Sequence, residues 1–230
     1  MSWSKGFTKA THPSVLKISQ TMKRKGIDNF HEWRERMRAL GKIPSSYPPI
    51  QQSELLAEYV GVVLGDGNIS KFPRTQRIII SANSNNEGFI RHYAELTRAI
   101  FQKEPAVKKV KGSNCMRISL YQKKISERLR IPTGNRQGKT IKIPSWIWQE
   151  EKYITAFLRG LFEAEGSLSI HKPTYTYNFQ FANTNKSLLE ATEKGLRILG
   201  YNPEVRKRSV RLRKKLEVAK FRELIKFREY

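Results

Sequence analysis

The feature that most constrains this chain is an internal repeat at an interval of about 100 residues. The repeated segments are "YVGVVLGDG" (59–67) and "LRGLFEAEG" (158–166), "SANSN" (81–85) and "FANTN" (181–185), and "EPAVKK" (104–109) and "NPEVRK" (202–207). Three similar segments in the same order at one spacing indicate a duplicated structural unit. The sequence therefore predicts two copies of one module, preceded by an extra N-terminal segment.

Hydrophobic periodicity predicts the same elements in both copies, in the order α-β-β-α-β-β-α. The helix after the second strand opens at Asn85 in the first copy and at Asn185 in the second, where the side chain suits an N-cap. The fold class is α+β. The predicted divisions are a basic helical extension (1–50), a first module (51–135), a Gly/Pro-rich linker (136–148) and a second module (149–230).

Net charge limits the partners of the chain. The sequence has 44 Lys and Arg against 20 Asp and Glu, for a net charge of +24. Such an excess favours a polyanionic partner, through steering and counterion release. Nucleic acid is the leading interpretation, with an RNA-packing protein or a membrane-surface binder as alternatives. A single cysteine and no apolar run near ~18 residues favour an intracellular protein, in the cytoplasm, nucleoid or an organelle.

The predicted strands alternate between apolar residues and polar ones, as strands do that pack one face on helices and expose the other. No acid occurs among the exposed-face residues of the clearest strands, and Arg, Asn, Gln, Ser and Tyr suit base edges and phosphates. An ordinary solvated face is the alternative. The predicted DNA-binding residues are Asn68, Ser70, Arg77, Arg117, Ser119, Tyr121, Ser169, His171, Asn178, Gln180, Arg211 and Arg213.

Small residues lie four apart on the first helix of each copy, Gly61 and Gly65 in one, Gly160 and Ala164 in the other. This spacing puts them on one helix face and lets two helices approach closely. We expect the two helices to pack together about a pseudo-two-fold axis.

That packing would bring two acids, Asp66 and Glu165, side by side at the helix ends. Two carboxylates at the negative ends of helix dipoles repel each other and call for a cation. Hard oxygen ligands suit Mg²⁺, and paired metal sites suit phosphodiester hydrolysis by a metal-activated water. The alternative is that both are ordinary helix-ending acids beside glycines that cap the helices.

"YVGVVLGDG" and "LRGLFEAEG" resemble the two signature motifs of the LAGLIDADG homing endonucleases, over about residues 53–228. The resemblance implies a monomer with pseudo-dimeric symmetry, in which two four-stranded antiparallel sheets form a saddle over double-stranded DNA. It implies catalysis and metal binding by Asp66 and Glu165, with backbone carbonyls of Gly65 and Ala164 as further metal ligands. It also implies a staggered double-strand break in a long, nearly palindromic site.

Supporting polar residues near the acids are also implied by the resemblance. Asn83 and Asn183 lie where the family often has a polar or basic residue at the end of the second strand. A family lysine before the last helix of a module matches Lys123 or Lys124 in one copy, and Lys214 or Lys215 in the other. At the sixth motif position, often acidic in the family, stand Leu64 and Glu163. We expect Glu163 to be solvated and not catalytic.

The leading prediction is a Mg²⁺-dependent, site-specific endodeoxyribonuclease of the intron-homing type. Mn²⁺ would substitute, and Ca²⁺ would support binding without cleavage. The alternatives are an RNA-binding intron maturase on the same scaffold and a DNA-binding regulator without cleavage. The basic residues 1–50 read as two helices, which either grip DNA as an accessory arm or pack on the core.

Overall fold

The computed structural model describes residues 5–43 and 47–230. The chain divides into two compact units, Met1–Tyr47 and Pro48–Tyr230. The first holds helices α1 (Pro13–Arg24) and α2 (His31–Ala39), so the predicted helical pair is present.

Neither helix of the first unit buries a residue. Apolar side chains that would ordinarily form a core, such as Leu16, Phe30 and Trp33, are exposed. The role of residues 1–50 stays a prediction.

The second unit contains both modules, each in the predicted order of elements. The first module has α3 (Glu54–Gly65), β1 (Gly67–Lys71), β2 (Gln76–Asn83), α4 (Glu87–Phe101), β3 (Ala106–Lys109), β4 (Cys115–Gln122) and α5 (Ile125–Leu129). The second has α6 (Glu151–Glu165), β5 (Gly166–His171), β6 (Thr176–Ala182), α7 (Lys186–Ile198), β7 (Glu204–Arg206), β8 (Ser209–Leu212) and α8 (Lys215–Leu224). The α+β fold of two repeated modules is confirmed.

Each module contains one four-stranded antiparallel sheet, with the orders β1-β2-β4-β3 and β5-β6-β8-β7. The inward faces carry the apolar residues of the alternating pattern: Ile78, Ile80, Ile118 and Leu120 in one sheet, and Phe179, Phe181, Val210 and Leu212 in the other. Burial of these side chains is the main driving force for packing the sheets on the helices. The opposite faces are left with the polar residues.

Both modules pack around α3 and α6, which are buried along most of their length. In the second module Phe162 of α6 meets Phe179 and Phe221 edge to face, with ring centroids 4.8 and 5.0 Å apart. No helix in the described parts of the chain is long and apolar enough to cross a bilayer.

One predicted helix cap is confirmed and the other is wrong by one residue. The Asn185 side chain accepts a hydrogen bond from the backbone N–H of Ser187 and caps α7. In the first module the cap is Asn86, whose side chain accepts from Phe89 N. Two adjacent asparagines both satisfy the capping preference, and the turn after β2 decides between them.

Glu163 is buried, so the expectation that it is solvated is wrong. Its carboxylate accepts hydrogen bonds from Arg228 N and the Tyr230 hydroxyl, and burial raises its pKa. These partners follow α8, about 65 residues along the chain, and sequence spacing does not reveal them. The side chain links α6 to residues 228–230.

Candidate active site and nucleic-acid interface

The seam between α3 and α6 depends on two glycines in reciprocal positions. A Cβ atom on Gly61 would lie 2.3 Å from the Phe157 carbonyl oxygen, and one on Gly160 would lie 2.0 Å from the Glu58 carbonyl oxygen. Backbone meets backbone at both points, so any side chain there would force the helices apart. This reciprocity confirms the predicted pseudo-two-fold packing of the two helices.

One turn further along, Gly65 lies against Ala164. A Cβ on Gly65 would be 2.4 Å from the Ala164 Cβ and 3.4 Å from the Glu165 Cγ. The ends of α3 and α6 are therefore in contact, and Asp66 and Glu165 follow at once. Asp66 caps α3, and its N–H donates to the Val62 carbonyl. The structure thus brings the two predicted acids together from separate modules.

The electrostatics of the pair favour a bound cation. Burial, followed by the negative charge of Glu165, raises the pKa of Asp66 to about 7, although the side chain still reaches solvent. Burial also raises the pKa of Glu165. The negative ends of two helices add to this repulsion. A divalent cation between the carboxylates would relieve it and keep both ionised near neutral pH.

The donors at this point fit Mg²⁺ or Mn²⁺. Among the described residues, no three His, Cys, Asp or Glu side chains cluster closely enough to hold a metal ion by themselves. Mg²⁺ is usually held by one or two carboxylates, with water and substrate phosphates filling its other positions. The last-turn carbonyls of Gly65 and Ala164 have no donor further along their helices and could supply additional oxygens.

The predicted supporting asparagines, Asn83 and Asn183, lie at the end of each sheet that is nearest the acids. Asn183 Nδ2 is 3.5 Å from the Glu165 Oε1, and its Oδ1 accepts from Asn185 N. Asn83 ends β2, close to the point where Ser81 N donates to the Asp66 carbonyl. Its own Oδ1 accepts from Asn85 N.

The predicted supporting lysines lie elsewhere. Lys123 follows Gln122, which pairs with Gln76 at the start of β2. Asp66 lies beside Ser81, five residues further along β2. Lys123 and Asp66 are therefore separated by roughly 15 Å along the strand. Lys215 Nζ lies 5.9 Å above the ring of Tyr177, towards the far end of the β5–β6 hairpin. The structure does not bring either lysine to the acids, because both modules place these residues at the opposite end of the sheet.

A residue that sequence reasoning missed, Arg136, reaches the end of α3 from the linker. It lines an open cavity of about 570 Å³ together with Gly65, Asn68, Glu165 and Asn183. The Gly/Pro-rich composition of the linker does not predict this position, because only tertiary folding brings residues 134–137 to the cavity that Glu165 lines.

Strand register gathers the predicted DNA-binding residues of the first sheet on one face. Ser70, Arg77 and Tyr121 stand in one row, and Asn68 and Ser119 flank Ile79 in the next. Lys108 pairs with Arg117 at the edge strand, which adds a cation that we did not predict.

Arg77 packs against two neighbouring aromatic rings on this face. Its guanidinium carbon lies 5.5 Å from the Phe72 ring centroid and 5.7 Å from that of Tyr121, and Nη1 donates to the Tyr121 hydroxyl at 3.3 Å. Aromatic contacts of this kind hold a long cationic side chain in place before it meets a ligand.

In the second sheet, Gln180 stands between Ser167 and Arg211, while Asn178 pairs with Ser169. His171 Nδ1 contacts the Thr174 hydroxyl at 2.7 Å, in the hairpin turn. These residues share the polar face, as predicted.

Glu204, on a strand outside those from which the exposed face was predicted, adds an acid to the polar face of the second sheet. This residue of β7 pairs with Arg211, and its carboxylate accepts from Arg211 Nε and Nη2 at 2.9–3.0 Å. Arg206 Nε lies 2.8 Å and Arg213 Nη1 3.8 Å from the same carboxylate. Two predicted DNA contacts, Arg211 and Arg213, therefore surround an acid.

Residues 152–230, α6 to the end of the second module, match the family model of the LAGLIDADG-like domain. The second module is therefore similar to a LAGLIDADG-like domain. The first module carries the matching helix, sheet and acid, so the resemblance read from the two motifs is confirmed. No curated protein sequence matches the chain significantly.

Solved structures share the fold across both modules. The homing endonuclease I-DmoI in complex with DNA and Mn is 20% identical over 75% of this chain and 96% of its own, with a TM-score of 0.53. Its complex with DNA and Ca is 21% identical over 75% and 88%, with a TM-score of 0.52. The N-terminal LAGLIDADG domain of DUF199/WhiA is 19% identical over 78% and 86%, also at 0.52.

Proposed function

We propose that this protein is a metal-dependent, site-specific DNA endonuclease that cuts both strands of a long, nearly palindromic target. The observation that carries the proposal is the meeting of Asp66 and Glu165, one from each LAGLIDADG-like module, at the end of a helix seam. Two carboxylates brought together by a duplicated fold supply one acid for each strand of a duplex.

The positive charge and the polar sheet faces support DNA as the substrate. The chain has a net charge of +24, and its exposed sheet faces carry rows of Arg, Asn, Gln and Ser. These residues suit a DNA duplex, in which contacts to phosphates position the protein and contacts to base edges determine sequence specificity. I-DmoI, with which the chain shares its fold, has been crystallised with DNA. Monomeric action, an intracellular location and intron homing belong to the same proposal.

Mg²⁺ is the proposed cofactor, with Mn²⁺ as a substitute and Ca²⁺ supporting binding alone. When bound, the cation supplies an activated water and stabilises charge that develops on the phosphate. Asp66 and Glu165 would hold it through their carboxylates, assisted by the Gly65 and Ala164 carbonyls. Each carboxylate must be ionised to bind the cation, so neighbouring residues that stabilise the negative charge would favour metal binding.

Cleavage of a DNA library with randomised sites tests the proposal. The wild-type protein should cut selected sites with Mg²⁺ and bind the same sites with Ca²⁺. Asp66→Asn and Glu165→Gln should each abolish the double-strand break while leaving binding within a few-fold of the wild type, because each removes one ligand and almost no contact area. Glu190→Gln is the matched control, since it removes an exposed acid of α7 that pairs with Lys186 one turn away.

Two results would refute the proposal. One is a wild-type protein that selects no cleaved site with either Mg²⁺ or Mn²⁺. The other is normal cutting of both strands by the two acid variants.

A DNA-binding regulator without cleavage is the second candidate. Two observations favour it. The chain matches WhiA, a protein not named for nuclease activity, and the two predicted lysines, Lys123 and Lys215, do not lie near the acids. The same library separates the candidates, because a regulator would enrich bound sites with Ca²⁺ and with Mg²⁺ and leave them uncut.

A further inference from the structure

Arg136 makes an unusual set of contacts with the end of α3. Its Nη2 donates to the carbonyl oxygens of Val63 at 2.9 Å, Leu64 at 3.3 Å and Gly67 at 2.6 Å. These carbonyls lie on both sides of Asp66 in the chain. One guanidinium therefore ties together the last turn of the helix and the first residue of β1, with the acid between them.

The backbone of Arg136 is anchored to the other module. Asn185 Nδ2 donates to the carbonyls of Arg136 at 3.0 Å and Lys139 at 2.9 Å. Asn185 is itself buried and caps α7. Just before the linker, Gly134 N donates to the Ile69 carbonyl of the first sheet at 2.8 Å. Arg136 thus spans the two modules at the level of the acids.

Stability alone does not account for an arginine at this position. Its Nη1 is buried without a hydrogen-bond partner, and a buried unpaired donor is costly. Burial lowers the pKa of Arg136, but a guanidinium remains protonated in proteins. The residue consequently places a permanent positive charge at the negative end of α3, where the carbonyls and two carboxylates concentrate negative charge.

The end of α6 is held differently. Among the residues that the structure describes, no arginine or lysine side chain donates to the last-turn carbonyls of α6, and Glu165 has Asn183 Nδ2 at 3.5 Å as its neighbour. Each half-site therefore has one acid, but the residues that contact the helix end differ between the two half-sites.

We propose that Arg136 is a positioning residue for Asp66, which fixes the backbone on both sides of this carboxylate and compensates the negative charge at the end of α3. The inference rests on the proposed function, because it assigns Arg136 to the half-site of one of the two metal-binding acids. Its consequence is that the two strands of the target depend unequally on Arg136.

The experiment compares Arg136→Met, Arg136→Lys and the control Lys139→Met. Methionine keeps the length and removes charge and donors, whereas the three N–H donors of lysine can still reach several carbonyls. Lys139 is an exposed cation of the same linker, and its backbone carbonyl accepts a hydrogen bond from Asn185. Thermal unfolding of every variant shows which ones are folded.

The first readout is cleavage of each strand of the target, labelled separately, with Mg²⁺. The strand assigned to Asp66 is the one that Asp66→Asn slows more. Arg136→Met should slow that strand about 100-fold, as expected for a displaced reacting group, and the other strand much less, so nicked DNA accumulates. Arg136→Lys should recover most of the loss, and Lys139→Met should cut like the wild type.

The second readout is Mn²⁺ binding by calorimetry, which does not require cleavage. Arg136→Met should weaken binding about 10- to 100-fold, as is typical when a partner of a metal ligand is lost, and Lys139→Met should not. If the wild type cuts no DNA, the proposed function fails, while this titration still decides the role of Arg136.

Equal slowing of both strands by Arg136→Met, or unchanged Mn²⁺ affinity, would overturn the inference in favour of a purely structural cap. A wild-type protein that binds no Mn²⁺ overturns it as well. If Arg136→Met does not fold, Arg136→Lys provides the test. The inference then requires that Arg136→Lys has near wild-type Mn²⁺ affinity and a strand bias no larger than a few-fold. Loss of Mn²⁺ binding in Arg136→Lys would contradict the inference.

Discussion

The α3–α6 seam offers a test in which a destabilising substitution is repaired by a second one across the interface. In Gly65→Ala, the new Cβ would lie 2.4 Å from the Ala164 Cβ, whereas carbon atoms in contact are normally about 3.5–4.0 Å apart. The helices must therefore separate by more than about 1 Å at this point. Removing the Ala164 methyl leaves the Glu165 Cγ, at 3.4 Å, as the nearest neighbour of the new Cβ.

Overpacking of a tight interior costs about 1–3 kcal/mol. For a unit of this size, 1 kcal/mol corresponds to about 2–4 °C in Tm, so Gly65→Ala should lower Tm by roughly 2–12 °C. The double variant Gly65→Ala/Ala164→Gly should recover most of that loss. A remainder of up to about 1 kcal/mol is expected, because glycine at 164 is a poorer helix former than alanine.

Chemical denaturation of the wild type, both single variants and the double variant gives the coupling free energy between the two positions. We expect it to be favourable by about 1–3 kcal/mol, the size of the relieved overpacking. Gly61→Ala is the matched comparison, because its Cβ would meet the Phe157 carbonyl oxygen, and no side-chain change opposite can relieve a backbone contact. Additive effects of Gly65→Ala and Ala164→Gly would refute the proposed geometry of the seam.

Two further predictions concern charge. Because burial and Glu165 raise the pKa of Asp66 to about 7, its ionisation opposes folding above that pH, and the penalty fades as pH falls towards the ordinary range of an aspartate. Asp66→Asn should therefore raise the Tm of the metal-free protein more at pH 8 than at pH 5, as measured by calorimetry. A larger gain at pH 5 would contradict the assigned environment. Glu204→Gln should free Arg211 and strengthen binding to non-specific duplex DNA more than Glu190→Gln does. Fluorescence anisotropy at fixed salt measures this difference. Equal effects of the two substitutions would show that Glu204 faces away from the DNA.

Local patterns were sufficient for the order of elements in both modules. Period-two alternation along Thr176–Ala182 predicts which side chains enter the core, and Phe179 and Phe181 are indeed buried. Small residues four apart on two helices predict the seam, because that spacing repeats on one helix face whatever surrounds it. These features depend on residues close in sequence, so the sequence carries them directly.

The choice between adjacent candidates needed the tertiary structure. Asn85 and Asn86 are equally suited to cap α4, and the turn after β2 selects Asn86. Lys123 and Lys215 lie one to three residues beyond their strands, and a strand that runs away from the acids carries such residues out of reach. Glu204 joins the polar face only because β7 pairs with β8 in one particular register.

The sequence by itself determined the duplication, the two modules, the helix seam and the pair of acids, because all four follow from short segments repeated at one spacing. Only the tertiary structure decided what surrounds the acids. Arg136 lies about 70 residues from Asp66 and in a segment with no regular periodicity, so no local signal connects them. Its side chain contacts the α3 carbonyls of Val63 and Leu64, while its own backbone carbonyl accepts a hydrogen bond from Asn185 of the other module. A long-range contact of this kind is a property of the packed chain and of no single stretch of it.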